Sequence, residues 1–151
     1  MLLAIDVGNS NIVLGVYEKN NLLTHWRILT QAERTADEYG VLISQLAFSR
    51  GINCDKIDAI IVSCVVPPMI TTIQELASNY FGISPLFVGP GVKTGMPIIY
   101  DNPKEVGTDR IVNAVAAYEK YHDVCIVIDF GTATTFDFIS KKGEYLGGSI
   151  A

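Results

Sequence analysis

Apolar and polar positions divide the chain into strand-like runs at its start, helix-like stretches around a buried strand in its middle, and strand-like runs again at its end. Leu2 to Ile5 and Ile12 to Tyr17 read as strands joined by a tight Val7-Gly8-Asn9-Ser10-Asn11 turn. Asn21 opens a third strand through Trp26, so a β-meander is expected first. Thr35-Ala36-Asp37-Glu38 has the form of a capping box, and Tyr39, Leu42, Ile43 and Leu46 follow at helical spacing, with Gly51 as the stop. Ile57 to Val66 is nearly continuous apolar sequence, the signature of a strand buried on both faces. Pro67-Pro68 then opens a helix with Ile70, Ile73 and Ala77 on one face.

Leu86 to Val88 is a short strand, followed by a loop rich in glycine and proline to about Pro97. Asn102-Pro103-Lys104-Glu105 has the grammar of a helix start, but Gly107 interrupts it, which moves the start of the longer helix to Thr108 and its end to about Tyr121. Val124 to Asp129, Thr134 to Ile139 and Glu144 to Ile150 form a second meander. This order of elements specifies a mixed α/β fold.

A chain of 151 residues, 49% apolar and 18% charged, has material for one ordinary domain or a pair of small lobes. Its net charge of −5 and the lack of a basic stripe argue against nucleic acid as a partner. An anionic ligand must therefore be held by local donors, backbone amides or a metal. Cys54, Cys64 and Cys125 form no CxxC pair and read as small buried hydrophobes in a reducing compartment. His25 and His122 have no partner at zinc-ligand spacing. The apolar run Met1 to Ile5 is too short for a leader or a membrane span, so a cytoplasmic protein is expected. Gly89 to Gly95 superficially resembles a P-loop, but no glycine precedes Lys93 and a connecting loop is the better reading.

One internal similarity outweighs these features. Ile5-Asp6-Val7-Gly8-Asn9-Ser10-Asn11 is a strand end, a carboxylate, a glycine turn with small polar residues, and then another strand; Ile128-Asp129-Phe130-Gly131-Thr132-Ala133-Thr134 repeats it. The copies lie too far apart for a short-repeat solenoid, and a duplicated lobe is the natural reading. Such turns suit phosphate: glycine lets the backbone approach an oxyanion, and successive N–H groups form a concave nest. Asp6 and Asp129 would each repel phosphate unless a cation stood between, and Mg²⁺ favours that arrangement. Asp109-Arg110, at a helix start after Gly107, offers a carboxylate for a hydroxyl and a guanidinium for an anionic group.

These residues carry a family resemblance. The paired turns resemble the phosphate motifs of the actin-like ATPase superfamily, with its ribonuclease H-like α/β fold. The finer match is to type III pantothenate kinases, the Bvg accessory factor family. It rests on Asp6 to Asn11, Val65-Val66-Pro67-Pro68, Asp101 to Arg110 and Asp129 to Thr135, of which the third is the most specific. The resemblance implies a first lobe over residues 1–121 and the beginning of the duplicated second lobe over 122–151. The family's chains continue well past the Gly147-Gly148 turn, so the chain reads as a fragment, expected to be inactive alone.

The implied activity is transfer of phosphate from ATP to pantothenate, the first step of coenzyme A synthesis. Other readings are a different small-molecule kinase of the superfamily, or a nucleotide-binding regulatory protein without catalysis. By resemblance, Asp6, Val7, Gly8, Asn9, Ser10, Asn11, Ile12, Val13 and Thr132 hold the ATP phosphates, with Mg²⁺ near Asp6, directly or through water. Asp109 is the base facing the substrate hydroxyl, and Tyr100, Gly107, Thr108 and Arg110 line the pantothenate pocket. A monovalent cation, K⁺ or NH₄⁺, is implied at Asp129, with Asp137 on the next strand expected to stand outside that site. A homodimer is also implied.

Overall fold

The alternating apolar positions at the start of the chain become two antiparallel strands, β1 (Leu2–Val7) and β2 (Asn11–Glu18). In this computed structural model, which describes residues 1–89, 92–100 and 102–151, Leu3, Ile5, Val7, Ile12, Leu14 and Val16 from the two strands all enter one core. β3 (Asn21–Leu29) continues past Trp26 and pairs antiparallel with β2. The apolar run expected from Ile57 begins later as a strand. A single 3-10 turn at Cys54–Lys56, opened by the Asn53 side chain accepting from the Asp55 amide, delays β4 to Ala59–Cys64. β4 lies parallel to β1, and β5 (Leu86–Phe87) lies parallel to β4, giving the sheet order β3-β2-β1-β4-β5.

The predicted capping box forms in full. Thr35 accepts from the Glu38 amide and its own amide donates to the Glu38 carboxylate, which starts α1 (Ala36–Ser49). α2 (Met69–Phe81) starts directly after Pro68 and ends at Gly82, whose left-handed backbone a side chain would strain. Its buried face is Met69, Ile73, Leu76 and Ala77. Ile70, expected on that face, is 40% exposed, because it lies at the rim of the arc that Met69 and Leu76 centre.

Residues Met1–Phe87 form one compact unit and Val88–Ala151 a second. In the second, α3 (Thr108–Tyr121) starts at the expected residue, behind Gly107. The preceding Asn102 does not cap; Pro103–Glu105 is one 3-10 turn, and the Asn102 amide donates to Glu105 instead. β6 (Cys125–Phe130), β7 (Thr134–Ile139) and β8 (Tyr145–Ile150) form an antiparallel sheet in that order. Ile111 and Ala114 of α3 share a core with Ile139 and Tyr145, which groups the helix with the second sheet. Pro90 and Gly91 of the glycine-rich loop, and Asp101, lie outside the described residues. Among the described residues, no helix is long and apolar enough to cross a membrane.

α1 and α2 approach closely at Gly40. A Cβ there would collide with the Tyr80 ring, whose hydroxyl donates to the carbonyl and carboxylate oxygens of Asp37. Alanine would raise helix propensity by about 1 kcal/mol, but moving the ring base of Tyr80 costs more. Gly40→Ala is therefore expected to lower the urea midpoint of the protein; a raised midpoint would show that the helices separate freely.

Candidate functional site

The register of the first sheet places the first glycine turn. Asp6 pairs with Val13 on β2 and lies beside Ser63 on β4, while Val7 pairs with Ile12 and lies beside Cys64. Asp6 thus stands near the carboxyl ends of two parallel strands, the edge at which open α/β sheets take ligands. The turn is closed by the Gly8 amide donating to the Asn11 carbonyl at 3.0 Å, and a Cβ on Gly8 would stand only 3.1 Å from that oxygen. Asn9 and Ser10 are exposed at the tip. Val7 and Ile12 are wholly buried, so any contribution they make to a ligand is through the backbone. Thr30, which no motif suggests, braces the turn: its hydroxyl donates to the Gly8 carbonyl at 2.6 Å and its amide to the Ser10 carbonyl at 3.1 Å. The Val65 amide donates to the Val7 carbonyl, which brings Val65–Pro68 against the same end of β1.

The second turn is built alike but is a residue shorter. Gly131–Ala133 lie between the paired residues Phe130 and Thr134, whereas Gly8–Asn11 lie between Val7 and Ile12. The Gly131 amide donates to the Ala133 carbonyl at 3.1 Å, and Thr132 is exposed at the tip. Asp129, at the end of β6, accepts from the side-chain amide of Asn113 at 3.2 Å. Asn113 follows Asp109 by one helical turn, so the two share a stripe of α3. That spacing was legible in the sequence; its target on β6 was not.

The substrate segment leads to a buried centre. Asp109 sits in the first turn of α3, and its carboxylate accepts from the amide of Arg110. The Arg110 guanidinium turns inward. Its Nε donates to Oδ1 of Asp137 at 2.7 Å and its Nη2 lies 2.6 Å from the same oxygen. Tyr145 donates its hydroxyl to that oxygen at 2.6 Å, and the Thr135 hydroxyl reaches Oδ2 at 3.4 Å. The two charged side chains are 13% and 1% exposed. Burial works most strongly against the Arg110 charge, yet the bond to Asp137 and its negative charge, helped by Tyr145 and Asp109, raise its pKa. Burial, and after it the bond and charge of Asp137, push the Tyr145 phenol well above its usual range, so it stays a donor. Tyr100 is 42% exposed and lies over Gly147 of β8. Asp137, which entered the sequence reading only as a residue outside the cation site, is the anchor of the segment.

The type III pantothenate kinase family model matches residues 2–151. The chain belongs to that family. It is 61% identical over 150 residues to the type III pantothenate kinase of Myxococcus xanthus (strain DK1622), covering 99% of this chain and 59% of the relative. It is 60% identical over 151 residues to that of Geobacter sulfurreducens, covering 100% of this chain and 59% of the relative. The chain therefore spans about three-fifths of the length of these relatives. Among solved structures, the ROK hexokinase of Thermus thermophilus is similar in fold, with a TM-score of 0.53 at 12% identity over 99% of this chain and 48% of that one. The expected actin-like α/β fold is thus shown.

The segments that carry the family resemblance fall two to a unit. Asp6–Asn11 meets Val65–Pro68 in the first; in the second, α3, which Gly107–Arg110 opens, reaches the start of Asp129–Thr135 through Asn113. Among the described residues, no three histidine, cysteine, aspartate or glutamate side chains converge on a metal. Each turn instead offers one carboxylate, so a cation at either would need water or phosphate oxygens to complete its ligands.

Gly148 keeps the buried centre open. A Cβ on it would collide with the Phe136 carbonyl, Nη2 of Arg110 and Oδ1 of Asp137. Gly148→Ala is expected to cost about 3 kcal/mol or more, as an overpacked and partly broken ion pair should. Denaturant unfolding of the full-length protein measures this; a loss below about 0.5 kcal/mol would mean that the guanidinium rests elsewhere.

Proposed function

We propose that the whole protein transfers the γ-phosphoryl group of ATP to the primary hydroxyl of pantothenate, giving 4'-phosphopantothenate and ADP for coenzyme A synthesis. The observation that carries this reading is the stripe on α3 that joins Asp109 to Asn113 and, through it, to Asp129 at the second turn. One helix then ties the candidate base to a candidate phosphate turn.

Asp109 accepts the hydroxyl proton as the substrate oxygen attacks the γ-phosphorus and the bond to the β-phosphate oxygen breaks. A loose phosphoryl-transfer transition state needs position and charge compensation more than a strong base, so an ordinary carboxylate is enough. Asn9, Ser10, Asn11 and Thr132 supply side-chain donors to phosphate, and the glycine turns supply backbone amides. Mg²⁺ at Asp6 would offset phosphate charge when bound, and K⁺ or NH₄⁺ would do so at Asp129. Tyr100, Gly107, Thr108 and Arg110 line the acceptor's place. The functional protein is a cytoplasmic homodimer in this reading.

The direct test is pantothenate-dependent ADP release by the full-length protein. Asp109→Asn preserves side-chain size and removes only the proton acceptor. It should lower kcat on the order of 100-fold while the affinity for ATP stays within about twofold. Near-normal turnover would exclude Asp109 as the base.

The cation role has its own test. At constant ionic strength, K⁺ or NH₄⁺ should activate turnover well above Na⁺, and Asp129→Ala should abolish the difference. Equal rates in the three chloride salts would remove the monovalent site from the reading.

A further inference from the structure

Ser63 and Asp137 are the buried polar side chains among the described residues, and Asp137 alone of the two is ionisable. Its position is not explained by the phosphate turn. Two donors bond its Oδ1, Nε of Arg110 and the Tyr145 hydroxyl, and Nη2 of Arg110 lies close to the same oxygen as an ion-pair contact. An Oδ1 occupied in this way is committed to donors of the protein itself. The carboxylate thereby grips one edge of a guanidinium.

Guanidinium carries five N–H groups in a rigid fork. Asp137 takes the Nε edge. Nη2, although close to Oδ1, makes no aligned hydrogen bond among the described residues and is itself buried. Unspent donors in a buried cation are costly unless an acceptor arrives. The neighbourhood also opens to solvent nearby, at Tyr100, whose ring lies over Gly147. Gly148 leaves room for the fork where any side chain would fill it.

We propose that Asp137, backed by Tyr145, is a positioning residue for the acceptor: it holds Arg110 by the Nε edge and thereby presents the remaining N–H groups to the carboxylate of the substrate. This rests on the pantothenate reading above, because pantothenate carries such a carboxylate at the end opposite its reacting hydroxyl. Asp137 touches neither substrate nor the reacting atoms; it acts through Arg110. A merely structural ion pair would support the fold without regard to the charge of the acceptor.

Discrimination between pantothenate and its uncharged alcohol analogue separates the two roles. In the full-length protein, Asp137→Asn keeps the side-chain shape but loses the charge that orients the fork. The ratio of kcat/KM for pantothenate to that for the alcohol should fall about tenfold or more, the scale of one charged hydrogen bond, with the KM for ATP within about twofold. Tyr145→Phe, a milder change that retains the ion pair, should lower the same ratio about threefold. It carries the test if Asp137→Asn fails to fold. An unchanged ratio in the folded variants, or equal losses toward both acceptors, would overturn the proposal and leave a structural pair. Absence of pantothenate-dependent turnover in the unaltered protein would remove the functional reading, and this inference with it.

Discussion

A guanidinium and a carboxylate that are both withdrawn from water must satisfy each other, and in the second unit Arg110 and Asp137 do so where α3, β7 and β8 meet. Arg110 belongs to the first turn of α3, Asp137 to the middle of β7, and Tyr145, which donates to the same oxygen, to the start of β8. The pair fastens the helix start to two strands at one point. Asp109 precedes Arg110 directly, so its place is fixed by the same fastening. Farther along α3, Asn113 makes a second attachment, to Asp129 of β6. Two polar ties, at Arg110 and at Asn113, align α3 with the sheet, while Ile111 and Ala114 supply the apolar contact between them.

The first unit solves a different problem with the same kind of turn. Its glycine turn follows a strand whose alternate side chains are wholly buried, so the turn is rigid where it leaves the sheet and exposed only at its tip. Thr30 holds two of its carbonyls from the end of β3. Those bonds direct carbonyl oxygens inward to a protein donor, which leaves the tip to amides and small polar side chains. That division suits an anion.

Much of this was legible in the chain. The alternation before Tyr17, the Thr35–Glu38 capping box and the helix start at Thr108 were each specified by local chemistry, and local chemistry won. The paired Asp-Gly turns located both strand ends, since glycine and small polar residues at those positions have few other uses. What escaped was long-range. Asp137 sits in a strand of ordinary alternation, and nothing within several residues names Arg110 as its partner. Thr30 and Asn113 likewise act across loops or between elements, where spacing along the chain carries no signal. Ile70 misled because a proline start fixes where a helix begins but not which arc of it meets the core. The strand expected from Ile57 was shortened by an Asn53 side chain that competes for the backbone.

Family membership rests on a match across nearly the whole chain and on identity near 60% to relatives whose own length is greater. The claim most exposed to test is that Arg110 and Asp137 depend on each other. A double-mutant cycle with Arg110→Met and Asp137→Leu, read by denaturant unfolding of the full-length protein, measures that dependence. Each single change should cost about 3–5 kcal/mol by stranding a buried charge, and the double change should recover about 2 kcal/mol or more relative to their sum. Strictly additive losses would contradict the account, since they would mean that the two side chains do not meet in the folded protein.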